Sequence, residues 1–367
     1  MSGATHISWA DKTWNPVLGC TKVGAGCDGC YAIGEAWRHS FALNAKVHAA
    51  YEGLTRKVNG KAAWTNVVRC LPERLTEPLH WRKPCTIFVN SMSDTFHSDV
   101  PDEFLDQMFA VMALAHWHRF MVLTKRPERM LEYLSDPETP GRIALQMGRI
   151  MSVLHGVKGI PQNSELPSPE DGLVWPLPNV IGMVSAEDQR AANERIPILL
   201  RTPLARRGVS LEPLLGPVDL KHIDYSWQVR EMFRYLSEQK QVETPSPPNG
   251  TAFFNALTGD WFDGWDSGSE PLQRLDLVIA GGESGLAARP SHPDWFRSLR
   301  DQCAAAGVDY HFKQWGEWAP SHRMPGQEIA EAACQWPGDA QPMARLGKKL
   351  AGRLLDGVEH NGTGWNA

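Results

Sequence analysis

The sequence lacks several features that would assign it to a class at once. No apolar run approaches the roughly 20 residues of a membrane-spanning helix. The N-terminus does not combine a basic region with an apolar core, so we expect no signal peptide and a cytoplasmic location. The formal net charge is −5, so the chain has no global positive field of the kind that non-specific nucleic-acid binders use. We therefore expect no membrane partner, while a local basic groove stays open.

Cysteine is scarce, and its pattern excludes further classes. The chain of 367 residues has seven cysteines, an odd number, which argues against a disulfide framework. Only one Cys-x2-Cys pair is present, whereas structural zinc sites usually combine two such pairs. Clustered cysteines in a cytoplasmic chain favour metal or redox chemistry instead.

The chain also lacks internal repeats and low-complexity tracts, and it alternates short apolar runs with amphipathic helical patterns. This alternation predicts an α/β fold with a parallel sheet that is buried on both faces. The predicted strands are Thr86–Asn90, Phe120–Thr124, Val180–Val184, Gly208–Leu211, Leu277–Ala280 and Tyr310–Phe312, with a shorter one at Ile7–Trp9. Helices are predicted over Asp102–Trp117 and Pro293–Ala306; the second ends at Gly307 and buries Cys303. We interpret residues 1–367 as one domain with insertions at about 155–178 and 238–271.

Polar residues follow directly after each of the six longer strands. They are Ser91, Ser93 and Asp94; Lys125 and Arg126; Ser185 and Glu187; Glu212; Glu283; and Lys313 with Gln314. In a parallel β/α barrel the carboxyl ends of all strands meet on the face that holds the active site. The pattern therefore predicts one polar pocket. The alternative is that these are ordinary cap and turn residues, since Ser and Asp are common there.

Three cysteines occur within eleven residues near the N-terminus, with the spacing Cys20-x6-Cys27-x2-Cys30. Three thiolates from one glycine-rich loop can hold three irons of a 4Fe–4S cluster and leave the fourth iron open. A zinc site with His6 or Cys70 as a fourth ligand is the alternative.

Six longer motifs carry a family resemblance: TWNPVLGCTKVGAGCDGCYA, IFVNSMSDTFHSDVP, LTKRPERM, SLEPLLGPVDL, GGESGLAARPSHPDWFRSLRDQC and FKQWGEW. They resemble a phage-associated three-Cys-motif family of unknown function, which is itself similar to a divergent branch of the radical S-adenosylmethionine (SAM) superfamily. The resemblance implies a partial or complete parallel β/α (TIM-like) barrel. It also implies a reduced 4Fe–4S cluster that cleaves SAM to a 5′-deoxyadenosyl radical.

The resemblance also implies roles for individual residues. Cys20, Cys27 and Cys30 would hold the cluster. Ser91, Ser93, Asp94, Ser185 and Glu187 would bind SAM, and Lys125, Glu212 and Glu283 would act on the substrate or, for Lys125, pair with the SAM carboxylate. Arg126 is a second candidate for that carboxylate. His97 and His292 have two interpretations: they are proton donors or substrate ligands, or they are locally satisfied side chains.

The implied partners are an electron donor, such as flavodoxin or ferredoxin, and a substrate that is DNA, RNA or a nucleotide. The basic segment 56–61, followed by Trp64, could contact nucleic acid or form a solvated hairpin. Two other classes stay open at this point. One is a non-catalytic binding protein stabilised by zinc or a cluster. The other is a divalent-metal hydrolase or nuclease that uses Asp94, Glu187, Glu212 and Glu283.

Overall fold

The computed structural model describes residues 3–155, 157, 172–226, 253–262, 273–321, 333–337 and 342–365. These residues form a mixed α/β fold around an eight-stranded, mostly parallel sheet that curls into a half-barrel. Among them, no helix is both long and apolar enough to cross a membrane. The predicted insertions at about 155–178 and 238–271 lie largely outside the described residues.

The main sheet follows the order of the chain. Its strands are β1 (Gly3–Ala4), β2 (Lys12–Trp14), β3 (Thr86–Val89), β4 (Arg119–Thr124), β5 (Val180–Ser185), β6 (Arg206–Leu211), β7 (Leu277–Gly281) and β8 (Asp309–Gln314). The edge strand β1 is antiparallel to β2, and every other neighbouring pair is parallel. Because consecutive parallel strands need crossovers of one hand, this order places the connecting helices on one side of the sheet.

Helices and small sheets surround this framework. The helices are α1 (Tyr31–His39), α2 (Ala45–Tyr51), α3 (Asp102–Leu114), α4 (Pro127–Ser135), α5 (Thr139–Leu154), α6 (Gln189–Arg201), α7 (Pro293–Ala306) and α8 (Lys348–Ala351). Short 3₁₀ turns cover Ala25–Cys27, Pro72–Arg74 and Glu77–His80. The described residues also form small sheets. Two are two-stranded: Val17–Leu18 with Arg69–Cys70, and Thr55–Val58 with Lys61–Trp64. Two are three-stranded, in the orders Ile223–Asp224, Phe253–Phe254, Trp261–Phe262 and Trp318–Pro320, Met343–Arg345, Ala333–Cys334.

Both faces of the sheet are buried. Side chains such as Val122 and Val209 point toward the helices and belong to the large core. Their neighbours on the other face, including Met121 and Ile181, form a second cluster inside the curl. Strands that bury both faces have no need for alternating polar residues, which explains the continuous apolar runs in the sequence.

Most predicted elements are confirmed. The six longer strands agree with β3 to β8 within two residues at each end, and Pro293–Ala306 is α7, capped by Gly307 at φ 66°. Cys303 is fully buried. The helix predicted over Asp102–Trp117 ends at Leu114.

The strand predicted at Ile7–Trp9 is wrong, because β2 begins only at Lys12. Residues 5–11 form the turn between β1 and β2. Ile7 and Trp9 are apolar because they pack into the cluster inside the curl.

Candidate functional site

The cysteine loop leaves the sheet at the carboxyl end of β2 and crosses the ends of the other strands. Gly19 starts it at φ 86°, and a Cβ there would lie 2.1 Å from the carbonyl oxygen of Val67, so only glycine fits. Cys27 ends the 3₁₀ turn Ala25–Cys27, and Cys30 is the N-cap residue of α1. The backbone thus brings all three thiols to one edge of the sheet.

One cavity of about 150 Å³ collects the cysteines and the polar strand ends. Among its lining residues are Cys20, Cys27, Cys30, Ser91, Ser93, Asp94, Lys125, Arg126 and Ser185, together with Tyr31 and Trp64. The prediction of one polar pocket is therefore confirmed for β3, β4 and β5. Glu187 and Glu283 stand beside it as supports of the cysteine loop, and Glu212 does not line it.

The first support of the loop is the ion pair of Asp94 and Arg126. Arg126 donates from Nη1 to Asp94 Oδ2 at 2.8 Å and from Nη2 to Thr21 Oγ1 at 2.7 Å and to the Thr21 carbonyl at 3.1 Å. Its Nη1 also lies 3.8 Å from the Sγ of Cys20. The Asp94 carboxylate additionally accepts from Thr124 Oγ1 and from the backbone N–H groups of Phe96 and Lys125.

His97 completes this support from the other side of Thr21. Its Nδ1 accepts from the Asp99 backbone N–H, so Nε2 carries the proton and donates to Thr21 Oγ1 at 2.9 Å. Burial, followed by the nearby Arg126, lowers the pKa of His97 below its ordinary value. Both ring nitrogens are locally satisfied, which is the second of the two interpretations of this histidine.

The second support is the buried pair of Glu187 and Arg195. Glu187 Oε1 accepts the backbone N–H of Gly26 at 3.2 Å, and Oε2 accepts from Arg195 Nη1 at 2.9 Å. A Cβ on Gly24 would lie 2.9 Å from the same carboxylate. Burial opposes ionisation of Glu187, but Arg195, Lys125 and the Gly26 N–H outweigh it and hold the pKa below its ordinary value.

The third support is the pair of Glu283 and Arg289, after β7. Arg289 binds both carboxylate oxygens of Glu283 with its guanidinium, at 2.8 and 2.7 Å, and donates to the Ala25 carbonyl at 3.2 Å. A Cβ on Gly29 would lie 2.3 Å from Glu283 Oε1. The glycines of the loop therefore let it rest directly on the strand-end carboxylates.

The thiols of Cys20 and Cys30 are largely withdrawn from water. Burial raises the pKa of Cys20 to about 11, with Asp94 adding to the rise and Arg126 opposing it. Burial also raises the pKa of Cys30, although the backbone N–H groups of Ala32 and Ile33 at the start of α1 act against this. The protein therefore favours the neutral form of these two thiols, and a metal that binds their thiolates must displace the protons.

Lys125 differs from the other cations of the site. Its ammonium group makes no ion pair with any described residue, although Lys125 lines the cavity. It lies close enough to Cys30 and Glu187 to oppose the rise in the pKa of Cys30 and to help lower the pKa of Glu187. By contrast, Glu212 is neutralised outside the cavity by Lys313, whose Nζ lies 2.7 Å from Oε1. Lys125 is therefore the cation of the cavity that stays available to an anionic ligand.

The predicted serines line the cavity, and the hydroxyl groups of Ser91 and Ser93 already donate hydrogen bonds to the protein. Ser91 Oγ donates to Asn15 Oδ1 at 3.1 Å, and Ser93 Oγ donates to the Val17 carbonyl at 2.8 Å. A hydroxyl oxygen that donates its proton keeps lone pairs for a further donor. Ser185 is buried, and its carbonyl accepts from Arg195. His292 caps α7 by accepting the Asp294 N–H, so it serves the helix locally.

Sequence reasoning missed Asn15, Tyr31 and Arg195. Arg195 had a detectable signal, since it lies on the apolar stripe of α6 between Ala191 and Leu199. A cation on a buried stripe requires a buried partner, which here is Glu187. Asn15 is fully buried and accepts from Ser91 and from the Met92 N–H, but nothing in its sequence context indicates this.

A cluster and a single metal ion require different arrangements of the three cysteines. Across the described residues, no three His, Cys, Asp or Glu side chains converge closely enough to hold one metal ion. In a 4Fe–4S cluster each thiolate binds a different iron, so the thiols need to surround one space rather than meet at one point. Cys20, Cys27 and Cys30 all line one cavity, which is compatible with this requirement.

The fold and the site together define an α/β protein with a cysteine-lined cavity at the carboxyl edge of a curled parallel sheet. A family model described as a protein of unknown function (DUF5131) matches residues 4–364. The chain therefore belongs to that family, whose description carries no activity. No curated protein and no solved structure matches the chain.

Proposed function

We propose that this chain binds a 4Fe–4S cluster through Cys20, Cys27 and Cys30 and acts as a cytoplasmic radical SAM enzyme on a nucleic acid or nucleotide. The observation that carries the proposal is that three thiols of one loop line the same cavity as polar residues from the ends of three parallel strands. The curled sheet would then be the partial β/α barrel of that superfamily, whose active sites lie at this edge.

When bound and reduced, such a cluster supplies the one electron that cleaves SAM to methionine and a 5′-deoxyadenosyl radical, which takes a hydrogen atom from the substrate. The electron would come from a small reductant protein such as a flavodoxin or ferredoxin. Arg126 would influence this reduction, because hydrogen bonds to the ligating sulfurs set cluster potentials and its Nη1 lies 3.8 Å from Cys20 Sγ.

The free polar groups of the cavity match the amino-acid part of SAM. The ammonium of Lys125 would pair with its carboxylate in a charge-assisted hydrogen bond. The Ser91 and Ser93 oxygens, which retain acceptor capacity, would receive its ammonium group. Asp94, Glu187 and Glu283 would act as positioning residues for the cysteine loop. Asp94 and Glu283 each hold an arginine that donates to a loop carbonyl, and Glu187 accepts the Gly26 N–H directly.

The contacts give less support to the two alternatives. A metal hydrolase would need free carboxylates, but Asp94, Glu187, Glu212 and Glu283 each pair with their own cation. For zinc, Cys70 packs against the large core and His6 lies in the turn at the amino end of β2, so neither lines the cavity.

The test is anaerobic purification followed by iron, sulfide and zinc counts and an electron paramagnetic resonance spectrum of the dithionite-reduced protein. We expect about four irons per chain and a spectrum that SAM perturbs. Single replacements Cys20→Ser, Cys27→Ser and Cys30→Ser should each remove most of the iron. Cys70→Ser is the matched control, because it removes a thiol outside the cavity.

Two results would overturn the proposal. One is a colourless protein with one zinc per chain that also loses its metal in Cys70→Ser. The other is full iron with a spectrum that SAM leaves unchanged, which would leave a cluster-stabilised binding protein.

A further inference from the structure

A positively charged unit stands beside the cavity in a chain that is negative overall. Residues 31–70 hold α1, α2 and the hairpin formed by Thr55–Val58 and Lys61–Trp64. This 31–70 unit contains six Lys and Arg residues and two Glu, a formal charge of +4 in a chain of −5. The excess positive charge is therefore local.

Half of these six cations are unused by the fold. Arg69 is structural, since it donates to the carbonyls of Ala49 and Ala50 at the end of α2. Lys46, Arg56 and Lys61 are exposed, and their side chains form no ion pair with any described residue. Exposed cations that the fold does not use are free to contact phosphates.

Aromatic side chains accompany the cations. Lys57 Nζ lies 5.7 Å from the ring centroid of Trp37, and Trp37 meets Phe41 edge to face at 4.8 Å. Phe41 is 65% exposed, so one of its faces is open to a flat partner. Positive charge combined with open aromatic faces is the arrangement that binds single-stranded nucleic acid, with the phosphates on cations and the bases on rings.

The same unit is also a wall of the cavity. Tyr31 at the start of α1 and Trp64 at the end of the hairpin both line it, and Cys20 and Cys30 pack against the core of the unit. Phe41 lies just beyond the end of α1, so α1 connects the cavity to the aromatic surface. A chain bound along the unit would have a base within reach of the cavity.

We propose that the 31–70 unit binds single-stranded nucleic acid, with phosphates on Arg56 and Lys61 and a base stacked on Phe41. This inference rests on the proposed function for its purpose, since it names the substrate class of that cavity. Binding itself does not require the cluster to react, so it is tested separately.

The experiment measures fluorescence anisotropy of a labelled single-stranded oligonucleotide with the anaerobically prepared full chain at several salt concentrations. The double variant Arg56→Glu/Lys61→Glu should bind about 25-fold more weakly near 0.1 M salt, and its salt slope should fall by about 1.4, as two lost phosphate contacts predict. The control Arg82→Glu/Lys83→Glu changes the charge equally at two exposed residues before β3, at the other end of the strands, and should bind like the unmodified chain.

A second pair of variants tests stacking. Phe41→Ala should weaken binding about fivefold or more, whereas Leu43→Ala, which removes a fully exposed apolar side chain two residues away, should not. Equal losses in Phe41→Ala and Leu43→Ala would indicate an apolar protein contact and overturn the proposal, and so would undetectable binding or equal losses in the two charge variants. Iron counts on the same samples distinguish this failure from failure of the cluster proposal.

Discussion

Steric contacts of single atoms determine how the cysteine loop packs on the strand ends. Gly29 has no positive φ, so its backbone tolerates any residue, yet a Cβ there would lie 2.3 Å from Glu283 Oε1. That oxygen is held by Arg289 and cannot move freely. The constraint at Gly29 is therefore steric and comes from the carboxylate beneath it.

We expect Gly29→Ala to displace the loop and lower the iron content of the anaerobically purified protein, with a loss of about 1 to 3 kcal/mol in the free energy of unfolding from overpacking. Metal analysis and denaturant unfolding measure the two effects. Gly34→Ala is the control five residues away in α1, where a Cβ meets nothing within 4 Å. Unchanged iron and stability in Gly29→Ala would contradict the contact.

Lys125 is the side chain whose loss should affect ligand binding without affecting the fold. Its ammonium has no ion-pair partner among the described residues, so Lys125→Gln should keep its iron and its thermal midpoint. SAM binding should weaken about tenfold or more, because a charge-assisted hydrogen bond is lost. Titration of the SAM effect on the reduced spectrum measures this.

The control for Lys125→Gln is Lys22→Gln. Lys22 also lines the cavity, but its ammonium group pairs with Asp28 at 3.2 Å on the surface. It should leave the SAM titration unchanged. If both variants weaken SAM binding equally, the effect is one of general charge, and the assignment of Lys125 to the SAM carboxylate fails.

Secondary-structure elements were predictable where burial alone dictates the pattern. The apolar runs of β3 to β8 predict a parallel sheet, and parallel strands necessarily bring their carboxyl ends together, so Ser91, Lys125 and Ser185 meet as predicted. Ion pairing was not predictable, because it depends on which long side chains reach across neighbouring elements. Asp94, Glu187 and Glu283 stay predicted as ligands of a cofactor or substrate. Each also pairs with an arginine, and that pairing could not be predicted from the sequence.

The buried pair of Arg195, on α6, and Glu187 illustrates the strength of such pairing. Arg195→Met should leave the buried Glu187 carboxylate without its partner and cost about 3 to 5 kcal/mol in the free energy of unfolding. Arg190→Met, in the same helix, breaks an exposed pair with Glu194 and should cost far less, because water screens that pair. Denaturant unfolding measures both. Similar costs for the two variants would show that Glu187 does not depend on Arg195.

At the scale of the molecule, loop segments cover both ends of the curled sheet. The cysteine loop covers the carboxyl ends of the strands, supported from β4, β5 and β7. At the amino ends, Trp9 and Trp365 pack into the cluster inside the curl. Ser8 reaches His311 on β8 at 2.9 Å, a contact between residues 303 positions apart that joins the two sides of the half-barrel. The cavity therefore lies on a sheet whose first and last parallel strands are linked by the contact of Ser8 with His311.

His311 makes this closure depend on pH. Its Nδ1 donates to the Gly362 carbonyl, and Nε2 accepts from Ser8. Burial, followed by Arg353, lowers the pKa of His311 to about 4. An unfolded histidine takes up its proton near pH 6.5, so the folded state loses stability as the pH falls from about 6.5 to about 4, by at most about 3 kcal/mol, and loses none above this range.

In His311→Gln this part of the pH dependence should disappear, so that denaturant midpoints measured at pH 7 and pH 4.5 differ less than in the unmodified chain. His80→Gln, an exposed position, should leave the difference unchanged. An unaltered pH dependence in His311→Gln would mean that His311 takes up its proton at the same pH in the folded and unfolded states, and the two ends of the chain would then be held together in another way.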